Sequence, residues 1–183
     1  MIEIRKSKVA YDKDIIELLE RNTGLKLPKE YIEFLKVYNG GRPESNIVEL
    51  RGAKIESISI STFFGSNLEN YCDLMWNYNI LKRRIPPQCI PIANLEGGNV
   101  ICVNLTDDDT YGFLYLWDHE EECLYGEEIT TDNMYLVAKS FAEFMKMIKP
   151  YKPTDEELSG YKVLGLEILD PEWYEKVKKE QGQ

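Results

Sequence analysis

The middle of this chain reads as sheet framed by helical patterns, and that arrangement limits the open folds more than any other feature. Ile90-Pro91-Ile92-Ala93 is a short strand whose proline points to a sheet edge or a strand start. Glu96-Gly97-Gly98-Asn99 is a turn. Residues 100–105 and 111–118 are hairpin partners joined by Thr106-Asp107-Asp108-Asp109-Thr110. Residues 119–132 are polar and hold one short strand, and residues 134–137 give another. Two strands come earlier, near 47–50 and 55–62. In the second, Ile58 and Ile60 fall on one face and Ser57, Ser59 and Ser61 on the other.

Helices flank this region. The first spans about residues 11–22, capped by Asp12, with Ile15, Leu18, Leu19 and Asn22 on one face and Gly24 as a left-handed stop. The second opens at Pro28, carries the stripe Tyr31, Ile32, Leu35 and Tyr38, and ends at Asn39-Gly40-Gly41. A third begins at Ser66-Asn67-Leu68-Glu69, which has capping-box spacing, with Leu68, Cys72, Met75 and Asn79 along one side. It closes on Lys82-Arg83-Arg84, ahead of Pro86-Pro87. Ser140-x-x-Glu143 opens a fourth, with Phe141, Phe144, Met145 and Ile148 on one face. Lys149-Pro150-Tyr151-Lys152-Pro153 marks a boundary between a domain of residues 1–150 and a C-terminal extension of residues 151–183. The extension is charged and helical in character, yet Leu164, Leu166 and Ile168 are spaced to pack on the core as an added strand.

Composition narrows the function. With 43% hydrophobic and 30% charged residues the chain is globular, and no apolar run approaches the roughly 18 residues of a membrane span. The first residues lack the apolar stretch of a signal peptide, so a cytoplasmic protein is expected. Cys72, Cys89, Cys102 and Cys123 are irregularly spaced, a poor disulfide framework and a poor zinc site. The net charge of -10 disfavours direct contact with nucleic acid or an anionic membrane and favours a basic partner.

That charge is unevenly placed. Residues 85–138 contain no Lys or Arg but eleven carboxylates, while the other 21 acidic residues nearly balance the 22 basic ones. Surfaces ordinarily mix both signs. The candidate partner-binding residues are therefore Asp107, Asp108, Asp109, Trp117, Asp118, Glu120, Glu121, Glu122, Glu127 and Glu128, with Trp117 as the aromatic anchor among them. A strand over residues 111–118 puts the two acidic ends about 23 Å apart, as two patches or the rims of one interface.

No catalytic, metal or cofactor site is expected. The single histidine, His119, has no nucleophile or glycine elbow with it and reads as a solvated strand-end residue. Asp107-x-Asp109 matches part of a calcium-loop spacing but suits a hairpin turn better. The glycine turns at 40–41 and 97–98 lack the residues of a phosphate loop.

The order of signals resembles a known family. Leu27-Pro28-Lys29-Glu30-Tyr31-Ile32-Glu33-Phe34-Leu35, followed by Tyr38-Asn39-Gly40-Gly41, is similar to the opening of the SUKH superfamily. Ile90-Pro91-Ile92-Ala93 with Gly97-Gly98-Asn99, then Trp117-Asp118-His119-Glu120 and Ser140-Phe141-Ala142-Glu143-Phe144-Met145, are similar to its middle strand, late strand and closing helix. The superfamily includes a yeast cell-wall regulator of SMI/KNR type and many bacterial immunity proteins. The resemblance covers roughly residues 10–149. It implies an α+β fold, a single domain with a mostly antiparallel sheet flanked by helices. It also implies a non-catalytic immunity protein that binds and neutralises the effector domain of a polymorphic toxin, nucleases among them. The alternative is a regulatory or scaffold module that binds a host protein. In both readings the partner is a protein; for a toxin it is a basic domain.

Overall fold

Local capping chemistry starts the helices, and tertiary contacts decide which of several possible caps is used. The computed structural model describes residues 2–50, 54–122 and 128–152. In helix α1 (Lys13–Thr23) the Asp12 carboxylate accepts from the backbone N–H groups of Asp14 and Ile15, and Gly24 (φ 72°) closes the last turn on Glu20. Its buried face is Ile16 and Leu19, whereas Leu18 is exposed and Ile15 half-buried. This corrects the expected face. Ile15, Ile16, Leu18 and Leu19 cover much of the helix circumference, so the sequence permits either orientation and packing selects one. Helix α2 (Lys29–Tyr38) follows Pro28 and buries Tyr31, Phe34 and Leu35. Phe34, absent from the expected stripe, sits at its centre, with the rings of Phe63 and Phe141 at 5.0 and 5.1 Å.

The third helix begins later than expected. Ser66 is fully buried and bonded to Asn39, so it caps nothing. The chain passes through Asn67 (φ 56°) and a 3₁₀ turn at Asn70–Cys72, and Asp73 caps α3 (Leu74–Leu81) by accepting from Trp76 N–H at 2.8 Å. The buried positions are consequently Leu74, Asn77 and Leu81. Helix α4 (Phe141–Met147) does start on its capping box: Ser140 Oγ accepts from Glu143 N–H, and the Glu143 carboxylate reaches back to Lys139 N–H.

The strands form a six-stranded antiparallel sheet in sequence order: β3 (Ile47–Glu49), β4 (Ser57–Phe63), β5 (Cys89–Leu95), β6 (Val100–Asn104), β7 (Leu114–Trp117) and β8 (Met134–Ala138). A separate pair, β1 (Ile4–Arg5) with β2 (Arg42–Pro43), was not foreseen, since two-residue strands carry no periodicity. Pro91 lies in an interior strand, not at a sheet edge. It is accommodated where β5 pairs with β6 beyond the β4 ladder, beside a register shift between Pro91 and Ala93. Among the described residues, 119–132 hold no strand; His119–Glu121 is a 3₁₀ turn.

One face of the sheet carries Ile60, Ile92, Ile101 and Leu116 into the main core beneath the helices. On the opposite face the end of α3 covers a smaller core of Leu81, Ile85, Cys89, Val100, Cys102 and Trp117. Lys149 pairs with Ile47 through two backbone hydrogen bonds, 3.0 and 2.7 Å, so the chain leaving α4 covers the β3 edge. The fold is thus the α+β arrangement that the resemblance implied. The extension from residue 153 onward lies outside the described residues.

Candidate partner-binding surface

The acidic stretch separates into two groups at opposite ends of the β6–β7 hairpin, and they differ in how far their charges are already committed. At one end, Asp107, Asp108 and Asp109 occupy the exposed connection. Asp108 accepts from Thr110 N–H (2.8 Å) and from its hydroxyl (2.5 Å), which holds its carboxyl below the usual range. Asn104 braces the same turn: its amide donates to Thr110 O and Oγ1, and its carbonyl accepts from Thr106 Oγ1 at 2.7 Å. Tyr111 reaches away to donate to Lys26 O at 2.9 Å, tying the loop to the segment between α1 and α2. The loop is therefore a braced, solvent-facing anionic turn.

A cleft of about 370 Å³ opens beside it on the face of the sheet opposite the main core. Asp108, Thr106 and Thr110 form one rim, with Gln88, Asn104 and Thr131 contributing polar groups and Cys89, Tyr115 and Met134 the apolar floor. Burial pushes the Tyr115 phenol up, and Cys89 and the Asp108 carboxylate add to it. An apolar floor beneath a carboxylate rim suits a Lys or Arg side chain, whose stem is apolar and whose head is cationic. Gln88, Asn104, Tyr115 and Thr131 were not singled out from the sequence. They converge only through strand register, and the available signal was the clustering of Asn, Thr and Asp at the hairpin end.

At the other end most groups are occupied. Trp117 is 1% exposed and belongs to the smaller core, so it offers no surface to a partner. Asp118, 8% exposed, caps the 3₁₀ turn by accepting from Glu120 N–H. Glu121 is bonded to Lys54 and Tyr135, and the Lys54 contact is the main reason its carboxyl is held low. Glu122 makes a bidentate pair with Arg84, both contacts 2.7 Å, and the Arg84 guanidinium lies 5.0 Å from the Trp117 ring centroid. Cations from outside the stretch thus restore the mixing of signs that the linear sequence lacks. Glu120 and Glu128 are exposed; Glu127 and Cys123 lie outside the described residues.

His119 is half-buried rather than solvated. Asn99 Oδ1 lies 2.6 Å from its Nδ1 and accepts from its backbone N–H at 3.0 Å, while the ring packs over Gly98. Among the described residues no group of three or more His, Cys, Asp or Glu is placed to hold a metal ion, and no helix is long and apolar enough to cross a membrane.

Residues 11–147 match the model of the SMI1 / KNR4 family (SUKH-1). The chain is also 30% identical over 168 residues to an SPbeta prophage-derived uncharacterized protein, YokK, of Bacillus subtilis (strain 168), covering 83% of this chain and 81% of that protein.

Proposed function

Because the chain belongs to the SMI1 / KNR4 family (SUKH-1), we propose that it is a non-catalytic cytoplasmic immunity protein that binds and neutralises the effector domain of a bacterial toxin. The observation that carries this reading is the braced acidic turn at residues 107–109, set at the mouth of a cleft suited to a basic side chain. A domain that handles nucleic acid presents Lys and Arg for phosphates. A fixed turn of three carboxylates competes for those side chains, and the mass of the sheet behind it keeps substrate away. The prophage origin of the relative suits a gene that serves competition between cells. Fixed carboxylates also speed encounter with a basic partner, chiefly through the on-rate.

The test is co-expression with effector domains of bacterial polymorphic toxins, beginning with any encoded beside the gene. Survival and a stable complex are expected. The triple substitution Asp107→Asn, Asp108→Asn, Asp109→Asn should weaken the complex by about tenfold or more and make its on-rate less sensitive to salt. Full protection by the triple variant, with an unchanged salt dependence, would remove the acidic turn from the mechanism.

A further inference from the structure

A cationic surface of this acidic protein lies on different elements from its acidic turn. Arg5, Lys6 and Lys8, on and just after β1, and Arg42 of β2, the ladder partner of Arg5, line a groove of about 700 Å³ together with Asn67, Leu68, Glu69, Tyr71 and Cys72. That volume falls within the roughly 300–1,000 Å³ of ligand pockets. The groove is lined largely by apolar surface, including Val9, Leu68 and Tyr71. Four cations line it against one carboxylate, Glu69, which is engaged by the Tyr71 hydroxyl. Arg5 is paired at 3.1 Å with Glu44, leaving Lys6, Lys8 and Arg42 without an ion-pair partner among the described residues. Arg42 lines the same groove as Tyr71 and Cys72, and its charge acts on both.

The backbone is built to hold these charges together. Gly41 has φ 117°, and a Cβ there would lie 2.5 Å from Arg5 O, so only glycine allows β1 to approach β2 this closely. Ser7 N–H then bonds to Tyr38 O at 3.1 Å, which fixes the lysine-bearing segment over the end of α2.

We propose that this groove binds an acidic linear peptide segment, its apolar side chains on the groove floor and its carboxylates against Lys6, Lys8 and Arg42. An extended peptide matches the arrangement better than a small phosphate ligand. The cations come from separate positions on β1, the segment after it and β2, and apolar surface makes up most of the lining. A long polyanion is disfavoured by the net charge of -10, whereas a short segment with few carboxylates feels mainly the local field.

The test uses the full chain and a fluorescein-labelled octapeptide of alternating glutamate and leucine, read by fluorescence anisotropy. Binding is expected to weaken with salt, and to weaken about tenfold in the double variant Lys6→Glu, Arg42→Glu. The Asp107, Asp108, Asp109 triple variant should bind it unchanged. Octapeptides of alternating lysine and leucine, or glutamate and serine, should bind at least about tenfold more weakly. A second readout does not depend on any variant. The octapeptide should slow modification of the half-exposed Cys72, which lines the groove, measured by mass spectrometry on the unaltered protein. Absence of binding, equal binding of the lysine peptide, unprotected Cys72, or displacement of the octapeptide by inorganic pyrophosphate would each overturn the proposal.

Discussion

Asn39 holds three segments together through one side chain. Its amide donates to Val9 O, Ala10 O and Ser66 O, and its carbonyl accepts from Ser66 N–H and Oγ, both at 2.8 Å. It also adopts φ 47°, which asparagine tolerates better than most residues. Asn39→Ala should therefore destabilise by about 3 kcal/mol or more, read by urea unfolding, since it strands several buried groups at once. The asparagine within the motif that carries the family resemblance is thus explained by folding alone. The Arg84–Glu122 pair differs in degree. Its side chains are 40% and 30% exposed, so solvent screening limits its value, and Arg84→Ala should cost about 1 kcal/mol. Trp117 emission should respond to that substitution, because the guanidinium lies over its ring. Among the described cysteines, burial pushes the Cys89 thiol up to about 12 and Cys102 well above its ordinary value. Of these three, Cys72 should accordingly react first with a thiol reagent in the native protein, and Cys89 and Cys102 only on unfolding.

At the scale of elements, the β6–β7 connection owes its shape to bonds at both its base and its tip. Tyr111→Phe removes only the hydroxyl that donates to Lys26 O, and should cost about 1 kcal/mol while raising hydrogen exchange across residues 106–113. This element also marks how far the sequence could be read. Strands, the hairpin and two helix starts were legible because their signals are local: Asp12 and Ser140 cap the helices that follow them. The start of α3 was not. Ser66 and Asp73 are both competent caps, and only the three-dimensional demand of Asn39 for Ser66 decides between them. The candidate surface was legible in part for the same reason. The run of carboxylates is visible in the sequence, but the cations that meet Glu121 and Glu122 come from 67 and 38 residues away. Trp117 looked like an anchor because register, which decides which face of a strand is covered, is not written in the strand itself.

For the molecule as a whole, the question is where the folding unit ends. The edge strand β3 would be an open ladder without Lys149, whose N–H and C=O pair with those of Ile47. Ile148, just before it, is 5% exposed in the main core. A chain ending at Lys152 keeps both features, whereas one ending at Met147 loses a buried isoleucine and two backbone hydrogen bonds. We expect the first to unfold in urea as one cooperative transition near the midpoint of the full chain. The second should lose about 3 kcal/mol or more, from the isoleucine burial and the exposed edge together. It should also associate with itself, because an uncovered edge strand pairs readily with another copy. Light scattering alongside urea titration separates the two effects. A non-cooperative or aggregated chain ending at Lys152 would mean instead that Leu164, Leu166 and Ile168 complete the core. The extension would then be part of the domain, and any partner surface assigned to residues 1–150 would have to be redrawn to include it.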